Sequence, residues 1–301
     1  MEPKPDISLI SCFRTQENWS GLKKSFTDTH GHHVEFFGIN NCESKYSLPE
    51  AYNEGIQNAQ GEILIFVHDD VRFLNTDWLN EASALLKSES TGVLGCAGGT
   101  LLCDAPAPWW ANIESNTKGA NLLQGPEHKK ELQHGFKKLQ QVATLDGFIL
   151  ITTKENCKNF RFSNQIGKWH AYDLDICLHM VLIENKVNYV LPEVFAYHDS
   201  PGNRSEEWGM ALINVWEKYR QHLKSRSTSK SSALALTSFL EYDEMRKWSG
   251  IKTRLLNGRP RRGLLYKLFV LLHFSEGKLG RTLLEKYRPI YHRFVEYKSH
   301  R

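Results

Sequence analysis

The chain has 301 residues, 41% of them hydrophobic and 24% charged; this composition excludes a disordered or collagenous chain and fits one large globular domain with an appendage. The formal charge of +4 conceals an asymmetry, because residues 1–223 hold 20 Lys/Arg against 28 Asp/Glu, a net of −8, while residues 224–301 hold 18 against 6, a net of +12. Six cysteines without a CxxC pair argue against a zinc knuckle or a disulfide scaffold, and no apolar stretch approaches the ~20 residues needed to span a bilayer.

Residues 1–6 carry no signal-peptide pattern, so the cytoplasm is the expected compartment. Ile7–Phe13 (ISLISCF) reads as a buried opening strand. A helix is predicted over 19–29 and a second strand over 34–39. Apolar residues at helical spacing predict a helix over 48–59, with Gly61 as its stop. Residues 62–67 (EILIFV) form the third expected strand, which ends at His68-Asp69-Asp70. A helix over 78–87 and a strand over 93–97 follow. This alternation implies an α/β fold with a mixed, mostly parallel sheet flanked by helices, binding its ligand beyond the carboxyl ends of the strands.

Residues 104–136 read as loop, with Pro106, Pro108, Gly119, Gly125, Pro126 and the adjacent Trp109 and Trp110. Residues 142–152 are strand-like, 173–184 helical, 187–191 a strand and 206–222 a helix. A Ser/Lys-rich linker over 224–232 opens a basic, mainly helical extension. The expected domains are therefore 1–223 and 224–301.

The acids at the end of the third strand carry the first chemical signal. Adjacent carboxylates repel one another unless a cation joins them. Mg²⁺ and Mn²⁺ take oxygen ligands and share their shell with phosphate. Taken alone, Asp69 and Asp70 would also serve a turn or a helix N-cap.

The surrounding segment 47–71 reads SLPEAYNEGIQNAQGEILIFVHDDV, with Asn53, Gly55, Ala59 and Gly61 ahead of the strand. It resembles the nucleotide-sugar-binding half of GT-A-fold glycosyltransferases of the large, mainly inverting family 2 group, particularly its bacterial members acting on surface polysaccharides. The resemblance implies that Asp70 stands at the essential metal position of the acidic motif and His68 at its first acidic position. A second block, WHAYDLDICL over 169–178, resembles the family's F-x-x-E-D-x-D-L-C-L stretch. By position Asp173 is the general base, and Tyr172 replaces the usual Glu. Asp175 is expected to hold the helix start on the acceptor or sugar side. Outside this context both acids are simply favoured by a helix N-terminus.

A third block, VFAYHDS over 194–200, places His198 after a strand, where it resembles the late histidine completing the metal shell. A lone histidine there would otherwise be structural. Asp146-Gly147-Phe148 resembles the family's acceptor-side strand, and Asp146 and Gly147 are expected near acceptor or sugar, although Asp-Gly is also a common turn. The resemblance places Ser11, Phe13, Arg14, Asn41, Asn53, Asp69 and Asp70 on the donor side. Trp109 and Trp110 suit a mobile loop stacked on the sugar, or a rigid Pro-bounded surface loop.

The activity implied is metal-dependent, inverting, hexosyltransferase-type sugar transfer with Mn²⁺ or Mg²⁺. The donor is a nucleotide-diphosphate sugar, and the acceptor is the hydroxyl of a glycan or lipid-linked molecule. In the tail, residues 263–274 (GLLYKLFVLLHF) with Arg259, Arg261, Arg262 and Lys267 suit either an interfacial helix at the inner face of a membrane or packing on the domain. Nucleic acid is not an expected partner, since no recognised motif is present. Two alternatives remain. One is a metal-dependent nucleotidyltransferase or phosphohydrolase, against which residues 11–20 lack any glycine for a nucleotide loop. The other is a non-catalytic nucleotide-sugar-binding protein, motivated by His68 and Tyr172 where acids are usual.

Overall fold

A computed structural model describes residues 4–26, 29–111, 118–125, 131–133, 135–192, 195–200 and 205–227. The basic extension expected over 224–301 lies outside them beyond residue 227. Strand β1 (Ile7–Phe13), helix α1 (Gln16–Ser25), β2 (Val34–Asn40), α2 (Leu48–Asn58) and β3 (Ile63–Val67) open the fold. After them come β4 (Val71–Phe73), α3 (Trp78–Leu86), β5 (Thr91–Gly95), β6 (Ala97–Gly99), β7 (Lys118–Ala120), β8 (Leu122–Gln124) and β9 (Glu131–Gln133). The last elements are β10 (Gln140–Val142), β11 (Thr144–Leu145), β12 (Ile149–Thr153), α4 (Tyr172–Leu182), β13 (Val187–Val190), β14 (Ala196–His198) and α5 (Glu206–Arg226).

Seven strands form the main sheet in the order β10-β13-β5-β12-β3-β1-β2. Five point the same way, and β12 and β10 run against them. The mostly parallel sheet expected from the sequence is therefore present. β1 has β2 on one side and β3 on the other, so the chain reverses its winding direction there. The crevice beyond the carboxyl ends of β1 and β3 is such a sheet's natural ligand site.

Burial on both faces explains the continuous apolar runs. Ile7, Leu9, Ile65 and Val67 pack on one face with Leu22, Trp78 and Phe148. Ile10, Leu64 and Phe66 pack on the other with Tyr52, Ile176 and Met180. Ser47 and Glu50 close a capping box at the start of α2, with Pro49 in its first turn. Gly61 is required by close approach, since a Cβ there would stand 2.5 Å from the backbone of Ile7 and Ser8.

Four expectations are corrected. The first helix starts at Gln16 rather than 19, because the Thr15 side chain caps Asn18 N, and it ends where Phe26 turns into the core against Phe73. The stretch expected as loop over 104–136 holds β7, β8 and β9, which gain partners that no local pattern announces. The strand expected over 142–152 is broken at 146–148. β11 pairs with β6 in a three-stranded sheet, whereas β12 enters the main sheet between β3 and β5. The Asp146 carboxylate accepts from Phe148 N within that break, the local bond that makes Asp-Gly a turn pair. The last helix, expected over 206–222, continues to Arg226 as α5.

Candidate metal-binding active site

The backbone builds this site before any side chain does. His68, Asp69 and Asp70 join β3 to β4 at the carboxyl edge of the sheet. His68 N donates to Phe148 O at 3.0 Å, which ties the triplet to the turn before β12. β14 pairs antiparallel with β4, setting His198 opposite Val71, and Asp199 N donates to Asp70 O at 3.0 Å. Residues 68, 70 and 198, far apart in sequence, are thus neighbours by ladder geometry.

His198 Nε2 lies 3.4 Å from Asp70 Oδ1, and His68 Nδ1 lies 3.9 Å from the same oxygen. One ligand atom from each of the three residues falls within 4.8 Å of the others. The His198 ring is stacked on Phe148, 4.7 Å away and inclined by 9°. Among the described residues, neither Asp70 Oδ1 nor His198 Nε2, both buried, has a hydrogen-bond partner. Leaving such a group unpaired costs about 1–3 kcal/mol. Two of them converging, with a second imidazole beside them, fit a divalent cation.

The electrostatics agree with that fit. Burial would raise the Asp70 carboxyl, but His198, His68 and Arg14 together hold it well below the usual carboxylate range. Burial lowers the His68 pKa, outweighing the pull of Asp70, so the imidazole is kept neutral as a ligand must be.

Asp69 behaves differently from its neighbour. It is 3% exposed and accepts from Arg14 N at 2.7 Å, Arg14 Nη2 at 2.6 Å, Arg14 Nε at 3.0 Å and Asn18 Nδ2 at 3.2 Å. Its acceptor capacity goes to fixing Arg14, whose Nη2 also reaches Asp70 Oδ2 at 2.9 Å. The Arg14 side chain remains 59% exposed at the mouth of the site.

α4 brings the remaining carboxylate. Ala171 takes a left-handed conformation (φ 58°), and Tyr172 and Asp173 follow as the first residues of the helix. The Tyr172 hydroxyl lies 2.5 Å from His68 Nε2. Burial, and then the charge of Asp146, push the Asp173 carboxyl up to about 7, against backbone N–H groups of Leu174, Asp173 and Gly147 that pull it down. Asp146 is itself held by Trp109, whose indole N–H donates to its carboxylate at 2.8 Å.

The structure therefore gathers His68, Asp69, Asp70, Arg14, Asp146, Gly147, Asp173 and His198 into one region. Other expected residues are engaged elsewhere. Asp175 is fully buried, accepting from Lys218 Nζ at 2.6 Å and the Tyr219 hydroxyl at 2.7 Å, so it joins α4 to α5 and is not turned to a sugar. Asn41 exchanges two hydrogen bonds with the backbone of Tyr46, and Asn53 exchanges two with that of Phe162. Both amides are thus committed to bracing loops rather than offered to a donor. Ser11 is fully buried at the end of β1, and Phe13 stacks on Trp19 at 5.4 Å. Trp109 packs between two core clusters, whereas Trp110 stacks on Trp208, 6.1 Å away at 3°.

Sequence reasoning did not single out Asn18, Phe148 or Tyr172 as site residues. Tyr172 carried a signal, as the departure from an otherwise matching acidic pair. Asn18 and Phe148 carried none, since their roles arise from where α1 and β12 dock.

Residues 10–221 match the family model described as glycosyltransferase like family. The chain belongs to that family. Membership supports glycosyltransferase activity, and the likeness to solved structures bears out the GT-A fold implied by the sequence. The TarS 1–349 structure from S. aureus in complex with UDP is 14% identical, with a TM-score of 0.52, 95% of this chain covered and 86% of that one. Full TarS gives the same identity and TM-score, with 95% and 52% covered. GalNAc-T7 with UDP, GalNAc and Mn²⁺ is 12% identical, with a TM-score of 0.49, 73% of this chain covered and 50% of that one. The chain thus spans about half the length of full TarS and of GalNAc-T7. Among curated proteins, none matches it.

Proposed function

We propose that this family member transfers a sugar from a nucleotide-diphosphate donor to an acceptor hydroxyl, with inversion at the anomeric carbon. The observation that carries the reading is the convergence of His68, Asp70 and His198, with two buried unpaired ligand atoms, beside the raised carboxyl of Asp173. Two imidazoles against one carboxylate favour Mn²⁺ over Mg²⁺, which prefers an oxygen shell. A divalent cation held by these three residues would supply electrostatic stabilisation of the departing diphosphate.

The chain's own groups account for the rest. Asp173 takes the proton of the acceptor hydroxyl as that oxygen bonds to the anomeric carbon and the carbon's bond to the diphosphate oxygen breaks. A carboxyl poised near neutral pH is basic enough for this and still about half ionised at pH 7. One displacement inverts the configuration, and the transition state carries oxocarbenium character. Arg14, anchored by Asp69 and exposed at the mouth, suits a diphosphate oxygen. Asp146, fixed by Trp109, orients the acceptor side.

UDP-sugars head the donor test, since TarS has been captured with UDP. UDP-, GDP- and TDP-sugars are incubated with Mn²⁺ and the full chain, and free nucleotide is measured. The reading predicts Mn²⁺-dependent release with at least one donor and its loss in Asp70→Asn. Binding of a diphosphate with no release from any donor would instead make the chain a nucleotide-sugar-binding protein. Among the described residues no helix is long and apolar enough to cross a membrane. We assign the basic tail to a membrane surface carrying a lipid-linked acceptor. Equal liposome flotation with and without residues 233–301 would remove that assignment.

A further inference from the structure

The two histidines of the site are held by different means. His198 is fixed by its stack on Phe148. Among the described residues no ring stacks face to face on His68, and its firm contact is the Tyr172 hydroxyl on Nε2. An imidazole that binds a cation presents the lone pair of one nitrogen, so its proton sits on the other and needs an acceptor. A tyrosine hydroxyl accepts as well as donates and can take that N–H.

We propose that Tyr172 is a positioning residue, whose hydroxyl holds the His68 imidazole with Nδ1 towards Asp70 and His198, and that Gly147 provides the space it needs. The inference rests on the metal reading above. Tyr172 is well placed for the task. It is 4% exposed, with its ring clamped edgewise by Tyr52 at 5.7 Å and Phe162 at 6.2 Å. The left-handed turn at Ala171 delivers it as the first residue of α4. A Cβ at position 147 would stand 2.6 Å from Tyr172 Cζ and closer still to the hydroxyl, so any larger residue there displaces the tyrosine from His68. The Asp146-Gly147 pair therefore does more than turn the chain. Its glycine makes room for the tyrosine that supports His68.

The test is Mn²⁺ binding to the full chain without donor, read from the electron paramagnetic resonance signal of free Mn²⁺. Tyr172→Phe keeps the ring packing and removes only the hydroxyl. It is expected to weaken Mn²⁺ binding about 10- to 100-fold, the usual effect of losing a group that orients a ligand. Gly147→Ala should act in the same direction. In a His68→Ala background, Tyr172→Phe should add nothing, because the hydroxyl acts through His68 alone. The inference is overturned if Tyr172→Phe binds Mn²⁺ as the parent does, or if the losses from the two substitutions add. If the parent binds Mn²⁺, His198→Ala loses it and Tyr172→Phe retains it, the inference falls and the metal reading stands. If the parent takes up no Mn²⁺, both fall.

Discussion

The raised carboxyl of Asp173 has a direct kinetic consequence. An ordinary aspartate is ionised throughout the neutral range, so a base of that kind would leave turnover flat from pH 5.5 upward. Asp173 sits near 7, first through burial and then through the charge of Asp146. Its ionised fraction falls from about nine-tenths at pH 8 to about one-tenth at pH 6, so turnover should fall about tenfold between them. The assay is nucleotide release at saturating donor and Mn²⁺ across that range. Asp146→Asn removes the like charge and should move the limb to lower pH without abolishing it. Asp173→Asn should lower turnover by about 10²- to 10⁴-fold with donor binding retained. A flat profile between pH 6 and 8, or full turnover by Asp173→Asn, would refute the assignment of the base.

The same shift predicts a stability effect of definite sign. Because the folded carboxyl titrates above its unfolded value, its contribution is intact below the unfolded pKa and is lost as pH rises towards 7. Asp173→Asn should therefore raise stability at pH 8, by about 1–4 kcal/mol in urea melts, and leave it unchanged near pH 3.5. Arg14→Ala should raise the donor KM about tenfold with little change in kcat, the pattern of lost ground-state binding to the diphosphate. Gly61→Ala should cost about 1–3 kcal/mol without touching the site, because its Cβ would meet the β1 backbone; an unchanged melting temperature would contradict that packing.

Much of the site was legible because its chemistry lies at strand ends, and strand ends are readable. The run of branched residues in β3 announces a buried strand, and the first polar residues after it fall at the sheet's carboxyl edge. His198 is likewise the last residue of a strand, β14. What escaped was pairing. The short strands β7, β8 and β9 have no apolar alternation of their own and exist because β6, β14 and β8 respectively offer them partners. Asn41 and Asn53 stand where donor contacts were expected, yet both side-chain ends match a loop backbone that only the folded chain presents. Asp175 shows the same limit. A first-turn acid looks free to face a ligand until α5 places Lys218 and Tyr219 against it.

The central claim is that His68, Asp70 and His198 hold a divalent cation together. Anomalous diffraction from crystals of the full chain grown with Mn²⁺ and UDP would test it most directly. The account predicts one strong manganese peak within about 2.0–2.4 Å of Asp70 Oδ1, His198 Nε2 and His68 Nδ1, shared with the diphosphate oxygens. A diphosphate bound in the cleft with no manganese among these three side chains would contradict it.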